Sequence, residues 1–292
     1  MYIYVCVKQT PDSSSVYVDP ISGHVDYERF VQVLNPADAC AVEAAVRIRG
    51  EVGGTIKALT LGPKDAEGTL RAALAIGADS ALRLWNSHAG EWRPFTVAAA
   101  LAGYLQSETR SLDLVLCGDT SSDWSSGIVG AALAQQLDLP QVTSVDQLNL
   151  LQKHDPITLQ LTRKLERGYR ELLEAELPLL ITVTAKLNEP RYPSLPAHLA
   201  ALKAEIPVLD PQSLMSDTWL DGSADETTLL EIHTPRPLPR RIAAPDSHHS
   251  AYQRIGEIVA GGATGRKTRL VEGSPEELAR VLVEFLSDRG FV

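Results

Sequence analysis

Residues 118–130 form a segment whose side chains could bind a phosphate group. The segment reads Gly-Asp-Thr-Ser-Ser-Asp-Trp-Ser-Ser-Gly-Ile-Val-Gly. Its hydroxyl groups can donate hydrogen bonds to phosphate oxygens, and Gly127 and Gly130 let a ligand or a neighbouring backbone approach closely. Neither of the glycine-rich phosphate-binding patterns, G-x-x-x-x-G-K-S/T or G-x-G-x-x-G, is present. Two interpretations stay open: a phosphate site, or a solvated turn in which Ser126 only caps the following helix.

This loop is predicted to lie between a strand and a helix. Residues 112–117 form a short apolar run, which is typical of a buried parallel strand. From Ser126 the apolar residues recur at helical spacing and end before Pro140. Open α/β sheets bind ligands at the carboxyl ends of their strands, and a helix N-terminus attracts anions through free N–H groups and a partial positive charge. The predicted elements therefore favour a binding site in the loop.

Strands and helices alternate over the first 140 residues. The periodicity predicts these further elements: strands at 2–7, 55–61 and 78–84, and helices from Pro36, at 65–77 and at 95–105. The alternation indicates a doubly wound, mainly parallel α/β sheet of the Rossmann-like, adenine-nucleotide-binding kind. Residues 8–12 follow the first strand and are a second candidate ligand loop. Residues 13–26 resemble a small hairpin.

The pattern changes after Pro140. Four strand-like runs with no helix between them predict an antiparallel β-meander at the edge of the parallel sheet: 142–145, 157–162, 169–173 and 177–183. A proline-rich loop follows, in which Pro190, Pro193 and Pro196 are expected to preclude a helix and to stiffen the chain. A short helix is predicted from Ala197.

The C-terminal part is predicted to be an arm that ends in a helix. Residues 210–246 are polar and rich in proline, as in an extended arm. The last helix is expected over residues 274–291, with Ser274 as its cap and an apolar stripe along one face. We therefore predict an α/β domain at 1–210 and a partner-clasping arm and helix at 211–292. The alternative, that the helix folds back on its own domain, stays open.

Composition excludes several classes of protein. The net charge of −10 argues against nucleic-acid binding, because a phosphate backbone requires a basic surface. The three cysteines have no C-x-x-C spacing, so we expect buried, reduced thiols and no metal site. Apolar runs fall short of the roughly 20 residues that span a membrane, and the first residues lack the basic region of a signal peptide. We therefore expect a cytoplasmic protein with no membrane insertion.

Three segments resemble the beta subunits of electron transfer flavoproteins, the family that includes the FixA proteins. They are VCVKQTPD at 5–12, LNPADACAVEAAVRI at 34–48, and the stretch from Arg163 through Glu166 and Gly168 to LPLLITVTAKLNEPRYPSLPAHLAA at 177–201. The resemblance extends over residues 1 to about 210. Its most specific part is residues 188–196, which match the family's pattern Asn-x-Pro-Arg-Tyr-x-Ser/Thr-Leu-Pro.

The resemblance implies an electron carrier that performs no bond-making chemistry of its own. Such a subunit pairs with an alpha subunit that holds FAD, and the pair passes electrons from flavin dehydrogenases to a quinone oxidoreductase or another acceptor. It also implies a structural AMP in this subunit or, in the branch that bifurcates electrons, an FAD in the same place. Together with Lys8 of the first loop, the implied nucleotide contacts are Cys6, Asn35, Pro36, Ala37, Asp38, Leu61, Gly118, Asp119, Thr120, Ser121, Ser122, Asp123, Ser125, Ser126, Gly127, Ile128 and Val129.

The resemblance also implies that Arg191, Tyr192 and Leu195 dock the carrier onto its dehydrogenase. Alternatively, Arg191 and Tyr192 pack the base of the loop and Leu195 belongs to the core. The chain departs from the family's usual phosphate loop because it lacks that loop's glutamine, and only Lys203 remains of a lysine run common in relatives. Two other functions stay open on the same scaffold: a nucleotide-hydrolysing or adenylating enzyme, and an adenine-nucleotide sensor.

Overall fold

The computed structural model describes residues 1–17, 30–87, 89–109, 111–220, 248–259 and 273–287. The chain divides into two compact units, Met1–Thr234 and Pro235–Val292. The strands of the first unit are β1 (Tyr2–Cys6), β2 (Gln9–Pro11), β3 (Gln32–Leu34), β4 (Thr55–Leu61), β5 (Ser80–Leu84), β6 (Leu114–Gly118), β7 (Gln141–Gln152), β8 (Thr158–Lys164), β9 (Arg170–Glu176), β10 (Leu179–Val183) and β11 (Val208–Leu209). Its helices are α1 (Pro36–Val52), α2 (Glu67–Ile76), α3 (Pro94–Ser107), α4 (Val129–Gln136), α5 (Leu195–Lys203) and α6 (Asp217–Leu220).

Among the described residues, nine strands form one sheet in the order β11-β5-β4-β1-β6-β10-β7-β8-β9. Pairing is parallel from β11 to β7 and antiparallel from β7 to β9. The prediction of a mainly parallel sheet with an antiparallel meander at one edge is confirmed. One assignment within it is wrong, because β10 lies between β6 and β7 in the parallel part. All five residues of β10 are buried, which suits a strand covered on both faces.

The parallel strands bury apolar side chains on both of their faces. On one face Ile3 and Val5 of β1 join a core with α1 and α2, and on the other Tyr4 of β1 joins a core with α3 and α4. This two-sided burial explains why these strands read as continuous apolar runs. The three cysteines are buried free thiols, as expected from their sequence surroundings.

Two predicted helix boundaries are wrong. The helix expected from Ser126 begins at Val129, because Ser125 and Gly127 have φ of 50° and 63° and the backbone is not helical there. Ser126 therefore does not cap α4. In contrast, Pro196 does not preclude a helix: α5 begins at Leu195, so the proline lies in the first turn, where no intrahelical N–H partner is required.

The predicted hairpin and the predicted arm are described only in part. β2 and β3 pair antiparallel, while the expected hairpin at 13–26 lies mostly outside the described residues. The first residues of the expected arm are not extended: Pro211–Leu214 form a 3-10 turn and α6 follows. A Cβ on Gly103 of α3 would overlap the Leu214 carbonyl oxygen, so the two backbones touch. Residues 221–247 of the arm lie outside the described residues.

The second unit contains two helices within its described residues, α7 (Ala251–Val259) and α8 (Pro275–Ser287). The C-terminal helix is confirmed over Pro275–Ser287, and its expected last residues, 288–291, lie outside the described residues. The helix α7 was not predicted. Ser274 and Glu277 form a capping box: Ser274 N donates to Glu277 Oε2 (2.9 Å), and Glu277 N donates to Ser274 Oγ (3.4 Å). None of the helices described here is long and apolar enough to cross a membrane.

Candidate functional site

The N-terminus of α1 is tied to the loop after β6 by Asn35. The side chain of Asn35 does not cap its own helix and is 2% exposed. Its Nδ2 donates to the Thr120 carbonyl oxygen (3.0 Å), and its Oδ1 accepts from Ser122 N (3.2 Å). The amide thus fixes the first half of the 118–128 loop, which we call the binding loop, against α1.

Asp38 joins the two candidate ligand loops. Its Oδ2 accepts a hydrogen bond from Lys8 N and its Oδ1 accepts one from Gly118 N, both at 2.7 Å. The residue is 5% exposed, and burial raises the pKa of its carboxyl group to about 7 although both N–H groups favour the charged form. Any Cβ at position 118 would overlap Asp38 Oδ1 and lie 2.8 Å from Ala37 Cβ. Only glycine therefore allows this contact.

The Lys8 side chain closes the first loop onto the binding loop. Its Nζ lies 2.6 Å from Asp123 Oδ2 and 3.4 Å from Ser121 Oγ. Burial alone would raise the pKa of Asp123, but hydrogen bonds from Lys8, Ser121 and the Trp124 N–H outweigh it and lower the pKa. The ion pair neutralises one carboxylate of the binding loop, which makes the loop more favourable for an anion.

The binding loop ends at the N-terminus of α4. The first intrahelical hydrogen bond runs from Ala132 N to the Ile128 carbonyl oxygen (3.0 Å), so the N–H groups of residues 129–131 point out of the helix end. Gly127 has φ 63°, and a Cβ at this position would lie 3.3 Å from the Asp119 carbonyl oxygen, so a side chain there would be crowded. These N–H groups and glycine are what a phosphate requires at a helix N-terminus.

The other predicted contacts border the same region. Cys6 ends β1 and pairs in register with Cys117 of β6, and burial raises the pKa of the Cys6 thiol to about 12, so it stays neutral. Leu61 ends the neighbouring strand β4, and Pro36 and Ala37 form the first turn of α1. The structure thus brings the predicted residues to one edge of the sheet, at the carboxyl ends of β1, β4 and β6.

Sequence reasoning missed two contributors from β10. Asp119 N donates to the Val183 carbonyl oxygen (2.8 Å), so β10 supports the start of the binding loop. A Cβ on Gly130 would lie 2.5 Å from Thr182 Cγ2 and 2.9 Å from Cys117 Sγ, so α4 packs closely on β10 and β6. The sequence signal that could have located them was the mostly apolar run of β10, Leu179–Val183, which the sequence analysis assigned to the meander.

The predicted docking residues lie after β10, in residues 188–196, which we call the docking segment. Tyr192 is 98% exposed and Leu195 is 70% exposed, so the interpretation of Leu195 as a core residue is wrong. Arg191 instead lies against α1, where its Nε donates to Glu43 Oε2 (2.7 Å). The alternative in which Arg191 packs the base of the loop therefore describes its contacts in the free chain.

Comparison with known proteins identifies the family of the chain. The family model described as electron transfer flavoprotein domain matches residues 25–214. The chain is 34% identical to an electron transfer flavoprotein subunit beta of Thermoanaerobacterium thermosaccharolyticum, over 93% of this chain and 97% of that protein. It is 37% identical to CarD, a subunit of the caffeyl-CoA reductase–Etf complex of Acetobacterium woodii, over 71% of this chain and 78% of that protein. It is 30% identical to FixA of Azotobacter vinelandii, over 88% of this chain and 92% of that protein. The chain therefore belongs to the electron transfer flavoprotein family.

Proposed function

We propose that this chain is the beta subunit of a heterodimeric, cytoplasmic electron transfer flavoprotein. Its partner is an alpha subunit that holds FAD, and the pair carries electrons from flavin dehydrogenases to a quinone oxidoreductase or another acceptor. The similarity to relatives named as beta subunits over nearly their whole length supports this role. The observation that carries the nucleotide part of the proposal is the Asp38 carboxylate, which fastens both candidate ligand loops to the N-terminus of α1.

We propose that this edge of the sheet binds one AMP, with FAD at the same place as the alternative. The residues fit a phosphate group: the free N–H groups at the start of α4 and the Ser126 hydroxyl can donate to it, and Gly127 leaves room for close approach. Lys8 balances the Asp123 carboxylate beside it. AMP carries no redox group, so its contribution is to hold α1 and the two loops together.

Substituting Gly127 with leucine is expected to lower nucleotide affinity by roughly tenfold or more, because leucine is strained at positive φ and its side chain blocks the approach to the loop. The measurement is mass spectrometry of the acid extract, which also identifies AMP or FAD. Gly168→Leu is the matched control, since Gly168 has φ 82° and no atom within 4 Å of an ideal Cβ. Unchanged stoichiometric nucleotide in the Gly127 variant alone would contradict this phosphate site.

We also propose that the C-terminal unit clasps the alpha subunit. Leu278, Leu282 and Phe285 lie at helical spacing on α8 and are 39–57% exposed, which is more apolar surface than an isolated terminal helix should present to water. When the arm and α8 bind the alpha subunit, the partner would cover this apolar stripe.

Deleting residues 270–292 is expected to weaken the heterodimer by about tenfold or more, because the α8 stripe is removed. Size-exclusion chromatography of the co-expressed subunits over a dilution series measures the loss. A chain that lacks only residues 288–292 keeps α8 and serves as the control. An equally stable complex after the longer deletion would mean that α8 does not hold the partner.

A further inference from the structure

The docking segment is attached to α1 by hydrogen bonds. Asn188 Nδ2 donates to the Cys40 carbonyl oxygen (3.0 Å), and Cys40 Sγ donates to the Asn188 carbonyl oxygen (3.3 Å). About two turns further along the helix, Arg47 Nη2 donates to the Glu189 carbonyl oxygen (3.3 Å). These hydrogen bonds join residues 142 to 148 positions apart in sequence and hold the start of the docking segment along one face of α1.

Glu43 is the centre of this attachment. Its Oε2 accepts from Arg191 Nε (2.7 Å) and Arg191 N (3.2 Å), and its Oε1 accepts from Arg191 Nη2 (3.1 Å) and Arg47 Nε (2.7 Å). The Glu43 side chain is 3% exposed. Burial alone would raise the pKa of Glu43, but the hydrogen bonds from both arginines outweigh it and lower the pKa to about 2. The carboxylate is therefore charged at neutral pH, and its bonds are charge-assisted.

The contacts of Glu43 fix both the backbone and the side chain of Arg191, the residue directly before Tyr192. Arg191 is held at its N–H and at two guanidinium nitrogens, whereas the next residue, Tyr192, is almost fully exposed. Leu195 follows at the start of α5, also exposed. A segment that is fixed before it meets a partner loses less conformational freedom on docking than a free loop does.

We propose that Glu43 is a positioning residue for docking: through Arg191 it holds the segment that presents Tyr192 and Leu195 to the dehydrogenase. This inference rests on the proposed carrier function. It adds that α1 carries the nucleotide contacts at its N-terminus and the attachment of the docking segment about one and a half turns later. The residues that touch the partner and the residue that places them are thus on different elements.

The test compares Glu43→Gln with Arg49→Gln in the full heterodimer. Arg49 is the matched control because it also forms an ion pair from α1, with Asp79 (2.6 Å), but has no contact with the docking segment among its hydrogen bonds, which go to Asp79 and Gly77. The probe is the flavin dehydrogenase of the source organism that reduces the wild-type heterodimer fastest. We expect Glu43→Gln to raise the KM for the carrier by about three- to tenfold with little change in kcat. We also expect faster hydrogen exchange at the Arg191 amide, and Arg49→Gln should leave both unchanged.

Further variants keep the result interpretable. Arg191→Gln removes the same ion pair from its exposed side, so it replaces Glu43→Gln if that variant folds poorly. If Arg191 acts only through Glu43, the double variant should raise the KM no more than either single variant does. An unchanged KM and unchanged exchange in Glu43→Gln, while Leu195→Ala raises the KM, would overturn the positioning role alone. An unchanged KM in Leu195→Ala as well would overturn the proposed docking function.

Discussion

Replacing Asp38 with alanine is expected to release the bound nucleotide and to lower the free energy of unfolding by about 1–3 kcal/mol at pH 5. The Asp38 carboxyl group accepts hydrogen bonds from Lys8 N and Gly118 N, one in each ligand loop. Alanine would remove the acceptor that both donors share. The two loops would then lose their common attachment to α1. We therefore expect a larger effect on nucleotide binding than on the free energy of unfolding.

The pH dependence of the lost stability shows whether the Asp38 carboxyl group is its source. Burial raises its pKa from 3.8 to about 7 in the folded chain. The folded state therefore binds the proton more tightly than the unfolded state, and the contribution of Asp38 to the free energy of unfolding falls as pH rises from about 4 to about 7. The alanine variant lacks this fall. We expect the stability difference between wild type and variant to be larger at pH 5 than at pH 8.

Urea unfolding of the nucleotide-free proteins at the two pH values measures this difference, and mass spectrometry of the acid extract measures the nucleotide. Asp113→Ala is the control, because Asp113 Oδ2 accepts from Tyr2 N (2.7 Å) at the other end of the same strand, β1. That variant should lose stability but keep its nucleotide. Full nucleotide occupancy in Asp38→Ala, or a stability difference that grows with pH, would contradict the role given to Asp38.

The sequence predicted the order of elements well where one local pattern determines them. The strand β4 over residues 55–61 and the helix α1, which starts at a proline, are as expected. The sequence did not distinguish β10 from a meander strand, because an apolar run shows burial but not which neighbour forms the pair. The predicted start of α4 was wrong for another local reason. Ser125 has a positive φ, and serine is not a residue type from which a positive φ is expected.

The candidate site was predicted at the level of loops but not of contacts. Parallel strands place their carboxyl ends at one edge, so the convergence of the first loop and the binding loop followed from topology. The bond between Asp38 and Gly118 depends on the register of β1 against β6, which pairs residues more than 110 positions apart. The contact between Glu43 and Arg191 likewise joins residues far apart in sequence, which lie in two separate family-like motifs. No spacing within either motif shows that the two side chains meet.

Replacing Leu195 with alanine is expected to weaken docking to the dehydrogenase by roughly 1–3 kcal/mol, because an apolar side chain that becomes buried in the complex is lost. Leu195 is 70% exposed in the free chain, at the start of α5, where Ser194 Oγ accepts from Ala197 N (3.3 Å). Pro193 and Pro196 restrict the backbone on both sides. The leucine is therefore presented on a stiff support, which lowers the entropic cost of binding.

Stability should not change, because a residue that is mostly in water in the folded chain contributes little to folding. We expect the melting temperature and bound nucleotide of Leu195→Ala to equal those of the wild type, while electron transfer from the dehydrogenase slows at low carrier concentration. Stopped-flow reduction of the heterodimer over a range of concentrations measures this. Leu172→Ala is the matched control, since Leu172 is 63% exposed on β9 and lies outside the docking segment.

The two variants separate a docking role from general loss of apolar surface. If exposed leucines only contribute to non-specific association, Leu172→Ala and Leu195→Ala should slow transfer alike. If Leu195 enters a pocket on the partner, only Leu195→Ala should raise the KM, and transfer at saturating carrier should recover because the reacting groups are unchanged. A lower melting temperature with unchanged transfer kinetics would mean that Leu195 serves the fold, and the surface that meets the dehydrogenase would then have to lie elsewhere on the chain.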